Sequence, residues 1–349
     1  MNSAVTEQDS SHEQSRGPVA ALLAAAFAAS GPGLVRGALD QAAVLARTLL
    51  ARVLSVVDDS LLAPGWAVAV LRRGDGLAAV VTSTEGRCWL PSGLYLPRTV
   101  TTPWSWATAH DTGWEGLTDP ARILVEFALA RERVVGDQLV ALASSGPIAP
   151  YLRSALPQVS MDGDVAASGD RTFAAAGPGL LDRLELTCAP RLVARVQAVA
   201  PARVGPTLDT LARDAHTRLV RAGLSEVPGL FDVPVLRDRI LTAHRDRVGV
   251  PPTYCDDLRD ADDLLAVTLA SLRVDAASIP LGDLRSGPRD RGMGQLYALT
   301  LQRRANELVL LSEAESSVQS LRDATYAHTL LAEHPWLSHT VAGGPVATG

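Results

Sequence analysis

The chain has 349 residues, 47% of them hydrophobic and 20% charged, and a formal net charge of −6. This composition suits a folded chain of about two domains and argues against a nucleic-acid binder, which needs a basic patch to displace counterions. The 32 strongly basic side chains are all arginine, which removes Schiff-base chemistry and Walker-type phosphate loops and leaves guanidinium forks to make the cationic contacts.

Residues 1–16 are polar and aperiodic and are expected to be disordered. The apolar run Val19–Ala29 follows Glu7, Asp9 and Glu13 with only Arg16 as a cation, the wrong flank for a signal peptide. It is also short of the roughly 20 apolar residues that cross a bilayer, so it predicts a short helix. Ser30-Gly31-Pro32-Gly33 stops it. From Leu34 to Val57 the pattern is amphipathic: Leu34, Ala38, Leu45, Leu49, Leu50 and Val53 share one side, with Arg36, Asp40, Arg47 and Arg52 left to water. Residues 17–63 thus form an N-terminal helical segment.

The period then changes. Trp66–Leu71 and Leu77–Thr82 are short β-prone runs around Gly74-Asp75-Gly76, a hairpin signal. A third run, Arg87-Cys88-Trp89-Leu90, leads into Pro91–Pro97, whose terminal prolines suit an edge strand or an ordered loop. Asp119-Pro120 opens a helix, Asp as N-cap and Pro at N1, with Ile123, Phe127 and Ala130 on one face. Residues 64–156 therefore read as a small Trp-rich α+β domain.

Residues 157–179 show no period, end at Gly177-Pro178-Gly179, and read as a linker. Beyond them the pattern is helical over 180–337. Leu208, Leu211, Ala215, Leu219 and Ala222 form one stripe, Leu236 and Ile240 another, and Ala261, Leu265, Thr268 and Leu272 a third. A long helix is expected from about Gln295 to His334, and 338–349 reads as a flexible tail. The predicted fold class is α+β: a small mixed domain with a β-hairpin, then a mainly helical domain.

Few patterns carry chemistry. Asp256-Asp257-Leu258-Arg259-Asp260 has the DDxxD form that holds magnesium–diphosphate, and carboxylates on one helical turn can chelate a hard cation. The competing reading is acidic residues near a helix N-terminus, favoured by the dipole. His328, His334 and His339 lack metal-ligand spacing, and His244, in line with Leu236 and Ile240, suits a hydrogen-bonded, half-buried histidine. Cys88, Cys188 and Cys255 are odd in number and far apart, as expected of free thiols in the cytoplasm. No cofactor is expected. Five of the six tryptophans (Trp66, Trp89, Trp104, Trp106 and Trp114) cluster, which suits either an aromatic core or an exposed recognition surface.

The segment Val81–Pro97, with Thr102-Pro103-Trp104 and Asp119–Leu124, resembles a stretch of actinobacterial, chiefly mycobacterial, proteins associated with ESX (type VII) secretion. Among them is the C-terminal region of EspK-like proteins. The likeness covers 60–145 and extends thinly over 180–335. It implies a small mixed α/β unit followed by helices, and an accessory role without catalytic residues. No tyrosine here has an acid four residues on, so a Tyr-x-x-x-Asp/Glu export signal is missing, and Trp114-Glu115-Gly116 reads as a chance W-x-G. The expected function is a non-enzymatic chaperone or adaptor of that apparatus, binding secretion components or their substrates. The candidate surface is Trp89, Pro91, Leu94, Tyr95, Leu96, Trp104 and Trp106. The alternative is a metal-dependent enzyme using Asp256, Asp257 and Asp260 on a diphosphate-type substrate.

Overall fold

A computed structural model describes residues 35–57, 63–74, 76–105, 113–226, 232–284 and 291–337; described side chains begin at 41 and at 293 in the two helices concerned and exclude Glu226. The expected N-terminal tail, the Val19–Ala29 helix, Trp106, His339 and the 338–349 tail lie outside these residues.

Helix α1 spans Val35–Val57 and buries Leu45, Leu49, Leu50 and Val53 as its periodicity predicts. Arg52 departs from expectation. It is half-buried, pairs with Asp170 at 2.7 Å and lies 5.9 Å above the Phe173 ring.

Strands β1 (Trp66–Arg73) and β2 (Gly76–Ser83) form the expected antiparallel hairpin, with Trp66 opposite Ser83. With β4 (Val100–Thr101), β5 (Gln138–Ser144) and β6 (Ser160–Asp162) they make one sheet of order β4-β2-β1-β5-β6. Its outer strands run parallel to their neighbours and the inner pairs antiparallel. Trp66, Val68, Val70, Ala79 and Val81 face α1 and the helical half, while Ala67, Ala69, Leu71 and Val80 face helix α2 (Pro120–Val135). Coverage of both faces explains why β1 reads as an unbroken apolar run rather than an alternating one. The Asp119 side chain caps α2, accepting from the Ala121 N–H at 2.8 Å, and Gly136 closes it in the left-handed region.

Two expectations are corrected here. The 87–90 run is not a strand: Gly86, Arg87 and Cys88 all have positive φ, and the Trp89 N–H donates to the Gly86 carbonyl, closing a turn. In the following segment, β3 (Leu96–Pro97) pairs with β7 (Leu180–Leu181) in a separate ladder. The 157–179 segment is not a free linker, because it contributes β6 to the sheet and buries Phe173, whose carbonyl accepts from the Tyr95 N–H at 2.9 Å. Its pieces are too short to show a period.

The remaining helices are α3 (Pro150–Ala155), α4 (Arg183–Thr187), α5 (Pro190–Gln197), α6 (Pro201–Arg221), α7 (Val233–Asp246), α8 (Pro252–Leu272), α9 (Arg291–Glu313) and α10 (Val318–Ala332). The expected continuous helix over 295–334 is broken between α9 and α10. The Ser317 hydroxyl oxygen accepts from the Ser320 N–H at 3.0 Å and caps α10. The apolar spacing runs across this break, so periodicity alone passes over it. One hydrophobic cluster links α1, the inner sheet face and α6 to α10, making the mixed and helical parts a continuous core.

Candidate functional site

The densest polar site lies where the loop after β2, residues 84–95, enters the helical half. The Glu85 side chain is 7% exposed; its Oε1 accepts from Arg273 at 3.0 Å and from Arg303 of α9 at 2.9 Å, and its Oε2 from Arg304 of α9 at 3.0 Å. Burial by itself would raise its pKa, but the charges of Arg303, Arg304 and Arg273 outweigh that and hold it down to about 2. Beyond Glu85 the network divides. One branch runs from Arg304 through Glu307 to Arg183, which also bonds Asp323 and the Leu90 carbonyl and lies 4.7 Å over the Tyr326 ring. The other runs from Arg303 through Asp262 and Asn306 to Arg237, which Gln302 also receives.

The loop backbone is held as tightly as its side chains. The Tyr326 hydroxyl accepts from the Leu90 N–H at 2.7 Å and donates to the Cys88 carbonyl at 2.6 Å. The Ser92 hydroxyl donates to Asp323, and Arg87 donates to Glu115, whose other oxygen meets His334 Nε2 at 3.1 Å. On the other side of the ring, His334 Nδ1 accepts from the Trp336 N–H at 3.3 Å. Burial pushes the Cys88 thiol up to about 12 against the hydrogen bond from Thr102, so it is a poor nucleophile. The arrangement is an ionic joint: its charges face one another, and its chemistry is to fix the register between the sheet and the helices.

This joint takes up much of the candidate recognition surface. Leu94, Leu96 and Trp104 are buried, Trp104 stacking edge-on against Trp114. Trp89 is half-buried between Trp66 and Arg304, whose guanidinium lies 5.0 Å over its ring. Pro91 and Tyr95, like Trp89, keep partial access, and Trp106 lies outside the described residues. The physical reason is that a five-stranded sheet covered on both faces needs large apolar groups at its open corner, and these tryptophans fill it. Sequence reasoning missed Glu85, Arg273, Arg303 and Arg304. Nothing local marks a carboxylate whose partners lie some 190–220 residues away.

The acidic motif is placed differently. Asp256, Asp257 and Asp260 lie on the exposed side of α8, with Asp256 already paired to Arg259 at 2.7 Å. Among the described residues, no group of three or more His, Cys, Asp and Glu side chains is placed to hold a metal ion. Asp257 and Asp260 instead rim an open cleft of 470 Å³ between α7 and α8, lined also by Asp232, Val235, Leu236, Arg239, Ala261 and Leu264. His244 is half-buried as expected, between Glu313 and Asp209; its Nδ1 is 2.9 Å from Asp209 but off the hydrogen-bond line. His328 bonds Asp214 of α6 at 2.7 Å.

Among the described residues no helix is long and apolar enough to cross a membrane. No protein-family model matches the chain, and a search of curated proteins finds no match to it.

Proposed function

We propose that the chain is a non-enzymatic interaction protein of the cytoplasm, an adaptor or chaperone-type accessory of type VII secretion that binds a protein partner. The resemblance of residues 81–97 and 119–124 to secretion-associated proteins supplies the apparatus. The observation that carries the binding role is the α7–α8 cleft. Val235 and Leu264 stand half in water although the same two helices bury apolar side chains on their inner sides. The exposed apolar groups adjoin one another on paired helices, the arrangement used to seat a partner.

The test is co-purification from a native actinobacterial lysate, with an established secretion chaperone as positive control. Recovery of secretion components or their substrates supports the reading. Recovery of neither, while the control captures its own partner, ends it.

A further inference from the structure

We infer that the cleft between α7 and α8 receives a basic amphipathic α-helix of a partner protein, an assignment that rests on the protein-binding reading above. Residues Asp232, Val235, Leu236 and Arg239 follow the i, i+3, i+4, i+7 spacing on and just before α7. Asp257, Asp260, Ala261 and Leu264 repeat it on α8. Two helical ridges of the same spacing, side by side, leave a groove that accepts the ridge of a third helix.

The groove has an apolar floor and an acidic rim. Val235 and Leu264 are each 49% exposed, whereas Ile240 and Leu265, on the inner sides of the same helices, are fully buried. Asp232, Asp257 and Asp260 have no ion-pair partner among the described residues, and Arg239 is the one guanidinium among the cleft's lining residues. Three carboxylates against one cation give the rim a negative field, in contrast to the joint at Glu85, where the acids meet guanidiniums. An occupant that satisfies both features presents an apolar stripe to Val235 and Leu264, with Arg or Lys on either flank to meet Asp257 and Asp260. An acidic helix would be repelled. An uncharged one would leave the rim unmatched.

The probe is a synthetic amphipathic peptide of about five turns, Leu along one stripe and Arg on both flanks, with a twin in which Glu replaces every Arg. Fluorescence anisotropy with the full-length protein should show the Arg peptide binding at least about tenfold more tightly than its twin, and weakening as salt is raised. Val235→Glu with Leu264→Glu should abolish binding. Asp257→Arg with Asp260→Arg should turn the preference toward the Glu twin. All four positions are exposed, and circular dichroism confirms that each variant folds. Equal affinity for the two peptides, no binding of either, or binding that survives Val235→Glu with Leu264→Glu overturns the inference. So does a concentration-dependent dimer dissolved by that pair of substitutions, which would make the occupant a second copy. Failure here is separable from failure of the general role: a native partner still recovered by the Val235→Glu, Leu264→Glu protein removes the groove and keeps the binding function.

Discussion

The carboxylate of the 84–95 loop and those on the outer side of α8 occupy opposite settings. Glu85 is enclosed by three guanidiniums from two distant parts of the chain, and its charge stabilises the junction of sheet and helices. Asp257 and Asp260, which attracted attention as a motif, stand in water with exposed valine and leucine beside them. The difference separates two uses of the same chemical group. A buried carboxylate must be matched inside the fold, because an uncompensated buried charge is costly. A surface carboxylate left unmatched contributes little to folding and remains available to a partner. The surface proposed for binding therefore lies away from the tryptophans, on the helical half.

Four measurements would sharpen this contrast or break it. Glu85→Ala leaves Arg273, Arg303 and Arg304 facing one another, and should lower unfolding free energy in urea by about 3–5 kcal/mol. A loss under about 1 kcal/mol would mean that the joint is not what holds the two halves together.

Acid comes next. The Glu85 pKa lies near 2 in the folded chain against 4.5 as its ordinary value, so its contribution is fully present above about pH 4.5 and is lost as pH falls toward 2. That loss is on the order of 3 kcal/mol from this group. Glu307, Glu115 and Asp182 are also held low against burial, by Arg183, by His334 and by Arg322 respectively, and they act in the same direction. A stability profile flat from pH 6 to 2 would contradict the depressed values.

Tyr326→Phe removes one hydroxyl and leaves the Leu90 N–H and Cys88 carbonyl without it. The expected cost is about 1–3 kcal/mol, visible as a lower Tm. An unchanged Tm would show that the left-handed turn holds itself. The smallest effect is expected at the surface: Asp257→Asn with Asp260→Asn should shift stability by no more than about 0.5 kcal/mol. A large loss there would erase the distinction between the two acidic regions.

Local signals were legible where local physics decides. The Asp119-Pro120 start of α2, the hairpin around residues 74–76 and the inner stripe of α6 all follow from capping, turn chemistry and period. The break at Ser317 was written in the sequence as well, in a serine pair, but the uninterrupted apolar spacing of α9 and α10 hid it. The 157–179 segment was not legible, since a three-residue strand has no period and gains its hydrogen bonds from β5. Of the cleft, only the acidic half was visible, as a motif with another meaning.

Composition and short-range pattern by themselves determined that this chain folds as α+β, that its cationic contacts are made by arginine, and where α2 begins. Tertiary structure alone decided which charges are buried and which are free. Glu85 and Arg304 are separated by 219 residues and meet at 3.0 Å. Hydrophobic burial of the helices against the sheet brings them together, and the cost of an unpaired charge in that interior makes the match obligatory. No such force acts on Asp257 and Asp260, which the fold leaves in water at the edge of an apolar groove.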